Sequence, residues 1–222
     1  MEKDKVFIAV YTNKVKSYCD EKFFNNLKNL SYNNQELYLV DNSEDFQYVD
    51  RLAEISSCKT IDRIQIDLDP KDTLFLRRVT GSVNYLRSEF LKTDSKYFII
   101  IESDVLVPSN LIEQLLISIE EIEKEEEKPW GVIGGLYYKG FHDYSLVGIQ
   151  KTHHVLSGVT LYKREVIEKY PFRWSHDNLG AFPDAWICFD VNKDGDYLLY
   201  NDHRITCEHL HDSTGRRGHQ YL

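Results

Sequence analysis

Cysteine, positive charge and long apolar runs are all scarce in this sequence, and each shortage excludes a class of protein. The four cysteines are scattered without a C-x-x-C pair, which argues against a zinc site or a disulfide framework and fits reduced thiols in a cytosol. The apolar stretch near the start, residues 6–11, is too short for a signal sequence or a membrane span, and nothing later approaches a spanning length. We therefore expect a cytoplasmic protein that meets a membrane, if at all, through a partner.

Positive charge is in deficit throughout the chain. Lys and Arg number 27 against 36 Asp and Glu, which gives a formal net charge of −9, so the chain does not hold nucleic acid by bulk charge. Any anionic ligand must be held locally. Core-forming residues are abundant, at 42% hydrophobic and 13% aromatic, and the sequence has no repeat and no Pro- or Ser-rich linker. It predicts one folded domain over residues 1–222.

Short apolar runs alternate with segments of helical periodicity, the pattern of an α/β sheet with crossover helices. After Trp130 the glycines crowd together among Val, Tyr and His, which predicts twisted strands that pass close to a ligand or another backbone. The predicted strands are residues 6–11, 36–41, 63–67 and 97–105, and the predicted helices contain residues 23–30, residues 76–91 and a long segment that begins near residue 108.

Two carboxylates directly after a buried strand are the sharpest feature of the sequence. The apolar residues 97–101 lead into Glu102, Ser103 and Asp104, and open α/β sheets bind ligands at the carboxyl ends of their strands. On an extended backbone Glu102 and Asp104 point to the same side, so they can converge on one hard cation that bridges phosphate oxygens. With Mg²⁺ or Mn²⁺ there, an acidic chain can hold a nucleotide diphosphate. The alternative is that both carboxylates only cap the helix that follows.

This segment resembles the D-x-D motif of the GT-A glycosyltransferases, especially their large inverting family (glycosyltransferase family 2-like), with Glu in place of the first Asp. The resemblance covers nearly the whole chain. It implies a single-domain α/β GT-A fold, a Rossmann-like mixed sheet flanked by helices with a smaller acceptor-side sheet. Residues 1–108 would bind the nucleotide sugar and residues 109–222 the acceptor. Asp104 would ligate the metal, Glu102 would contact the ribose or a metal-bound water, and Ser103 would lie beside them in the donor site.

Further segments fall in the family's order and imply the rest of the donor site. Tyr11 and Thr12 follow the first strand and Asp41 ends the second; they resemble the nucleotide-base pocket, in which the aspartate recognises uracil. Asp41-Asn-Ser is also ordinary turn sequence. Arg78, or equally Arg77, resembles a family arginine that approaches the nucleotide, although a solvated basic helix face explains either residue.

In the second half of the chain, the resemblance implies a glycine that faces the sugar and a catalytic base. Gly158 resembles the glycine of the strand under the donor sugar, where the backbone must approach closely, and it also fits a plain strand-to-helix turn. Asp184 corresponds to the general base that deprotonates the acceptor hydroxyl. Pro183 stands where the family often has Glu, and a lone Asp before a helix is also a common N-cap. Trp186 stacks on a sugar or lies in the core.

Histidines close the chain and complete the implied metal site. The segment that ends at His211 resembles the family's last strand, after which a histidine ligates the metal. His209 and His211 share a face of an extended strand, and we favour His209 as the ligand, with its neighbour at phosphate or solvent. His153 and His154 are expected in the acceptor cleft or a loop. The basic tail, residues 212–222, predicts either a lid over the diphosphate or an unstructured end.

The resemblance therefore implies a metal-dependent enzyme that transfers a hexose from a nucleotide diphosphate sugar, with a UDP-sugar favoured, to a hydroxyl acceptor. The acceptor is a glycan, glycoprotein, lipid or modified nucleobase, the cofactor is Mn²⁺ or Mg²⁺, and the anomeric carbon is inverted. A retaining transferase and a non-catalytic nucleotide-sugar or glycan-binding module remain as alternatives. A nucleotidyltransferase fits less well, because residues 11–15 lack the Gly-rich basic loop that such enzymes place after strand one.

Overall fold

Strands and helices alternate along most of the chain. The computed structural model describes residues 3–56, 58, 60–66, 74–137, 146–175 and 182–211. In chain order the elements of these residues are β1 (Val6–Thr12), a short 3-10 helix (Lys14–Lys16), α1 (Asp20–Lys28), β2 (Gln35–Asp41), α2 (Phe46–Ser56), β3 (Thr60–Arg63), α3 (Leu74–Phe90), β4 (Tyr97–Ile101), β5 (Val105–Leu106), α4 (Leu111–Glu125), β6 (Trp130–Tyr137), β7 (Ile149–Thr152), β8 (Val159–Lys163), α5 (Arg164–Lys169), α6 (Pro183–Asp194) and β9 (Leu198–His209).

The described strands form one mixed sheet in the order β3-β2-β1-β4-β8-β6-β9-β5, with β7 paired to β9. β1 pairs in parallel with β2 and β4, and β2 pairs in parallel with β3. β8 runs antiparallel to both β4 and β6. The carboxyl ends of β1, β2 and β4 therefore meet at one edge of the sheet, where open α/β folds bind their ligands.

The central strands are apolar at nearly every position because helices cover both faces of the sheet. In β1, Ile8 packs into a cluster with residues of α1, α2 and α4, whereas Phe7 packs into a second cluster with residues of α3, α5 and α6. Val6 through Val10 are almost completely buried. This two-sided core fixes the position of the carboxyl edge and of every loop that starts there.

The predicted α/β class and the strands at β1, β2 and the start of β4 are confirmed. The third strand lies earlier than the predicted residues 63–67: β3 ends at Arg63, opposite the last residue of β2, Asp41. Residue 67 lies outside the described residues. The predicted strand over residues 97–105 is wrong in its second half, because the chain turns after Ile101 before the two-residue β5 begins.

β9 is the longest strand, and it begins six positions before the expected closing strand at Arg204. It pairs in parallel with β6 and antiparallel with β7 and β5. Its last residue, His209, therefore arrives at the carboxyl edge beside β5. Among the described residues, none of the helices has the length and apolarity to cross a membrane.

Candidate functional site

A turn brings the two carboxylates of the edge together with a histidine. The Val105 N–H donates to the Glu102 carbonyl at 3.0 Å, and the Leu210 N–H donates to the Asp104 carbonyl at 2.7 Å. His209 is the cross-strand partner of Val105. One ligand atom each of Glu102, Asp104 and His209 lie within 4.8 Å of one another. The predicted cluster of these three side chains is present. The backbone between Ile101 and Val105 forms a turn, however, and is not the extended strand that we expected.

Asp104 is an ionised carboxylate within this cluster. Only 1% of Asp104 is exposed. Lys16 Nζ donates to Asp104 Oδ1 at 2.9 Å, and His209 Nε2 lies 3.8 Å from Asp104 Oδ2. Burial by itself raises the pKa of Asp104, but the attraction of Lys16 and His209 outweighs it and the pKa falls below its usual range. Burial likewise opposes the charge of Lys16, yet Asp104 and Glu102 raise the pKa of the ammonium.

The donor atoms fit a hard divalent cation. Two carboxylates and an imidazole suit Mn²⁺ or Mg²⁺. Glu102 is oriented by partners outside the cluster, because its Oε1 accepts from the Tyr11 hydroxyl at 2.9 Å and from Ser157 Oγ at 2.6 Å. Such outer partners hold a ligand in its binding direction. Glu102, Asp104 and His209 are therefore the residues of the described chain that could hold the ion.

His211 is not part of this cluster. The regular strand ends at His209, so the shared face expected for His209 and His211 does not extend to the second residue. The His211 ring instead lies against the His209 ring, with centroids 5.3 Å apart and planes inclined by 32°. This packing agrees with the choice of His209 over its neighbour.

Tyr11 and Thr12 lie at the end of β1 and are almost completely buried. The Tyr11 hydroxyl serves Glu102 directly, and burial followed by the charge of Glu102 raises the pKa of this phenol well above its usual value. Thr12 pairs in register with Asp41. Tyr11 therefore supports the carboxylate cluster, while Thr12 adjoins the end of β2.

Asp41 is fully buried at the end of β2 and uses only one of its carboxylate oxygens. Its Oδ1 accepts from the Ser43 N–H at 2.9 Å and from the Ser43 hydroxyl, which is the turn that the sequence also allowed. Its Oδ2 has no hydrogen-bond partner among the described residues. Burial raises the pKa of Asp41, and the Ser43 bonds oppose that rise. The second oxygen is thus a buried acceptor that the described residues leave without a partner.

Arg78 lies close to the same strand end. Its guanidinium donates to Glu44 Oε1 at 2.6 Å, and only 12% of its side chain is exposed. It is therefore not part of a solvated basic face. α3 also reaches this loop through Ser82, whose hydroxyl accepts from Asn42 Nδ2 at 2.8 Å. The structure brings Arg78 to the Asp41 loop, as expected for an arginine at the nucleotide.

Ser157 links the carboxylate cluster to Asp184. The Ser157 hydroxyl donates to Glu102, as described above, and the Ser157 N–H donates to Asp184 Oδ2 at 3.2 Å. The neighbouring Gly158 carbonyl accepts from the Glu102 N–H at 3.0 Å. Sequence reasoning selected Gly158 and missed Ser157. The available signal was a hydroxyl next to a glycine that was itself expected beneath a sugar.

Asp184 is not an N-cap, which corrects the alternative drawn from the sequence. The cap of α6 is Phe182, with no side-chain cap bond, and Asp184 lies within the first turn. Asp184 is 5% exposed, and its Oδ2 lies 3.3 Å from His154 Nε2. Its Oδ1 has no hydrogen-bond partner among the described residues. One oxygen is therefore fixed, and the other is a buried acceptor that has no partner among the described residues.

An apolar cavity of about 320 Å³ adjoins Asp184. It is lined by His153, His154, Ala185, Trp186, Phe189 and Asn192. Trp186 is mostly buried, and the Arg173 guanidinium lies 3.7 Å from the centre of its ring. The Trp186 Nε1 has no hydrogen-bond partner among the described residues. Trp186 is thus packed in place and lines the cavity beside Asp184, and its stacking on a sugar stays a prediction.

The expected lid, residues 212–222, lies outside the described residues. Every other residue proposed from the sequence is described. At the carboxyl edge lie the cluster of Glu102, Asp104 and His209, together with Ser103, the Asp41 loop and Arg78, and beyond Ser157 lie Asp184 and the histidine-lined cavity.

No family model matches the sequence, and no curated protein matches it. Solved structures do match it. Staphylococcus aureus TarS 1–349 in complex with UDP-GlcNAc is 12% identical with a TM-score of 0.60, over 98% of this chain and 61% of that chain. A protein from Desulfovibrio desulfuricans G20, described as a candidate nucleotide-diphospho-sugar transferase, is 9% identical with a TM-score of 0.55, over 95% of this chain and 84% of that one. A197 from STIV is 12% identical with a TM-score of 0.53, over 94% and 86%.

The chain spans only part of the TarS chains it matches, 36% of one TarS structure and 60% of another. At identities this low, the structural likeness establishes a common fold only. The activity has to be argued from the site itself. The mixed sheet order, the carboxylates after β4 and these likenesses together show that the chain has the GT-A glycosyltransferase fold.

Proposed function

We propose that this protein is a glycosyltransferase that moves a hexose from a nucleotide diphosphate sugar to a hydroxyl acceptor with the aid of Mn²⁺ or Mg²⁺. The observation that supports this most strongly is the continuous connection from the Glu102, Asp104 and His209 cluster through Ser157 to Asp184. A site for a diphosphate-bound cation and a candidate base thus occupy neighbouring positions. A transferase needs both, whereas a binding module needs only the first.

UDP is the favoured nucleotide of the donor. Asp41 offers one unengaged carboxylate oxygen at the end of β2, which suits the N3–H of uracil. Arg78 lies next to the same loop. TarS, which shares the fold, has been solved with UDP and with UDP-GlcNAc.

A divalent cation held at this site would supply charge neutralisation for the diphosphate leaving group. Glu102, Asp104 and His209 would hold that cation. Tyr11 and Ser157 keep Glu102 oriented toward the site through their hydrogen bonds to it. In this proposal the sugar lies close to the backbone of Gly158, which has no side chain and whose carbonyl accepts the Glu102 N–H.

Asp184 is the proposed base. Its Oδ2 is held by the Ser157 N–H and by His154, so its unengaged Oδ1 is the atom that accepts the acceptor proton. The acceptor oxygen would form its bond to the anomeric carbon on the face opposite the diphosphate, which would leave as the nucleoside diphosphate, so the anomeric carbon would be inverted. Trp186 and Phe189, in the cavity beside Asp184, would contact the acceptor through their rings. The acceptor classes remain glycan, glycoprotein, lipid and modified nucleobase.

The test is a screen of donor hydrolysis that does not require the acceptor. Purified protein is incubated with UDP- and GDP-hexoses and Mn²⁺, and the released nucleotide is measured with and without EDTA. We expect slow, EDTA-sensitive release of UDP, and NMR of the product should show an inverted anomer. Retained configuration would instead indicate the retaining class. UDP binding without hydrolysis or transfer to any acceptor would leave only the non-catalytic binding module.

A cytoplasmic location, with peripheral contact to a membrane through a partner, belongs to the same proposal. It is supported by the four cysteines, which all stand as free thiols in the structure.

A further inference from the structure

We propose that Lys16 makes cation binding dependent on the nucleotide: its ammonium weakens the affinity of the free protein for Mn²⁺ and strengthens the binding of UDP once Mn²⁺ is present. This inference rests on the proposed function, because it assigns a role to one more residue of the same site. Nothing in the sequence pattern distinguished Lys16 from Lys14, the other lysine between β1 and α1.

The position of Lys16 is fixed by its surroundings. It ends the short 3-10 helix that follows β1, and only 11% of its side chain is exposed. The Cys19 thiol donates to the Lys16 carbonyl at 2.9 Å and lies 3.2 Å from the carbonyl of Ser103. The backbone of Lys16 is thus tied to the turn that carries Asp104, and its ammonium bonds Asp104 Oδ1 directly.

The charge balance of the site gives the ammonium its effect. Glu102 and Asp104 alone bring two negative charges, which a divalent cation would neutralise. With Lys16 the net charge of these three groups is −1, so a cation that enters an empty site meets a nearby positive charge. The diphosphate carries at least two negative charges, and it therefore meets an excess of positive charge at an edge that holds both the ion and Lys16. The ammonium therefore repels the divalent cation and attracts the diphosphate.

A purely structural ion pair predicts a different result. If Lys16 only neutralised Asp104 to stabilise the fold, its removal would lower stability and impair both ligands together. Under the proposed role, removal of the Lys16 charge raises the affinity for Mn²⁺ and lowers the affinity for UDP. A loss of folding would lower both affinities.

The chain offers a matched control in the same short helix. Lys14 is largely exposed and pairs with Asp45, away from the carboxylate cluster. The variants Lys16→Met and Lys14→Met remove the same charge from positions two residues apart. Mn²⁺ binding to the free protein is measured by electron paramagnetic resonance, and UDP binding at saturating Mn²⁺ is measured by calorimetry.

For Lys16→Met we expect Mn²⁺ to bind about tenfold more tightly and UDP about tenfold more weakly, because a unit charge at this range changes the affinity for a charged ligand by at least that order. Lys14→Met should leave both affinities near those of the native chain. Lys16→Arg keeps the positive charge and should stay close to native in Mn²⁺ affinity. If Lys16→Met does not fold, as judged by circular dichroism, Lys16→Gln replaces it in the same experiment.

Unchanged affinities in the neutral Lys16 variants, or affinities that both fall, would overturn the role of Lys16 alone, provided that the native chain binds Mn²⁺ and UDP. If the native chain binds neither ligand, the proposed function fails and the inference fails with it. The native measurement therefore separates the two failures.

Discussion

Asp104 is the residue at which contacts from two distant parts of the chain converge. Lys16 bonds its side chain, His209 lies beside it, and the Leu210 N–H bonds its carbonyl. A neutral isostere keeps the size of Asp104 and removes the charge that a cation needs.

We expect Asp104→Asn to weaken Mn²⁺-dependent UDP binding at least about 100-fold without unfolding the chain, since loss of a direct ligand exceeds the effect of losing an outer partner. Calorimetry with UDP and Mn²⁺ measures the loss, and circular dichroism monitors the fold. Asp50→Asn, at an exposed acidic residue of α2, serves as the control. Unchanged UDP affinity in Asp104→Asn would exclude Asp104 from the cation site.

Asp184→Asn should separate donor binding from chemistry. The amide retains the volume of the carboxylate and cannot accept the proton of the attacking hydroxyl, so UDP affinity should stay within about twofold while hydrolysis of the UDP-sugar falls about 10²- to 10⁴-fold. Nucleotide release and calorimetry on the same preparation give both numbers. Near-native turnover would remove Asp184 as the base.

His154 is expected to position Asp184. Its ring nitrogen lies 3.3 Å from Asp184 Oδ2, and 45% of its side chain is exposed. His154→Gln should lower the turnover number about tenfold, less than Asp184→Asn, with UDP affinity unchanged. His153→Gln is the matched control, because the His153 ring lies near Asn192 instead. Equal turnover in the two variants would show that His154 has no special effect on Asp184.

At the residue scale, the sequence predicted those site residues whose positions follow from residue type and from the end of a strand. Glu102, Asp104 and His209 meet because carboxyl ends of strands meet. Lys16 and Ser157 bond Asp104 and Glu102 across 88 and 55 positions of sequence. The contacts of Lys16 and Ser157 depend on how their loops are placed at the carboxyl edge of the sheet. Local sequence patterns do not predict the placement of such loops.

At the scale of elements, β6 controls the loop that carries the proposed catalytic contacts. A Cβ on Gly134 would lie 2.4 Å from Val155 Cγ1 and 3.1 Å from the carbonyl of Val159. Val155 stands between His154 and Ser157 in the chain. The absence of a side chain at Gly134 therefore lets this loop settle close to β6.

Gly134→Ala should destabilise the protein by about 1–3 kcal/mol, the usual effect of overpacking a core, and it should also lower UDP-sugar hydrolysis by displacing the loop. Urea unfolding measures the stability. Val155→Ala in the same chain should restore part of it, because the clashing methyl group is then absent. A Gly134→Ala protein with native stability and activity would contradict this packing.

The helices and strands that were easiest to predict are those with the most buried apolar residues. β1 and β4 are uninterrupted apolar runs because both of their faces are covered. α2 went unpredicted: its buried face consists of Tyr48, Leu52 and Ser56, in which only one aliphatic residue marks the period. The two-residue β5 is too short to form a pattern, and its position depends on pairing with β9.

For the molecule as a whole, burial predicts that the thiols are inert. Burial raises the pKa of Cys19, Cys188 and Cys207 to about 12 and also raises that of the half-buried Cys58. We expect Ellman's reagent at neutral pH to react only slowly with the native protein and to count all four cysteines after denaturation. A thiol that reacts at once in the native protein would contradict this burial.

The single sheet also joins the segments expected to bind donor and acceptor. β4, which leads into the carboxylates, pairs with β8, and the start of β8 follows Gly158 in the chain. The residues proposed to bind donor and acceptor are thus positioned by neighbouring strands of one sheet, and a mutation that shifts β8 is expected to affect both.

The route of β9 also determines when the site can exist during synthesis. Residues leave the ribosome from the amino end, so β1, β2 and β4 are available long before β9. Until β9 arrives, β6 has no partner on one side and the carboxylates after β4 have no histidine beside them. A nascent or interrupted chain can therefore display the carboxylates but cannot complete the proposed cation site, and cation affinity is expected to report that β9 is paired.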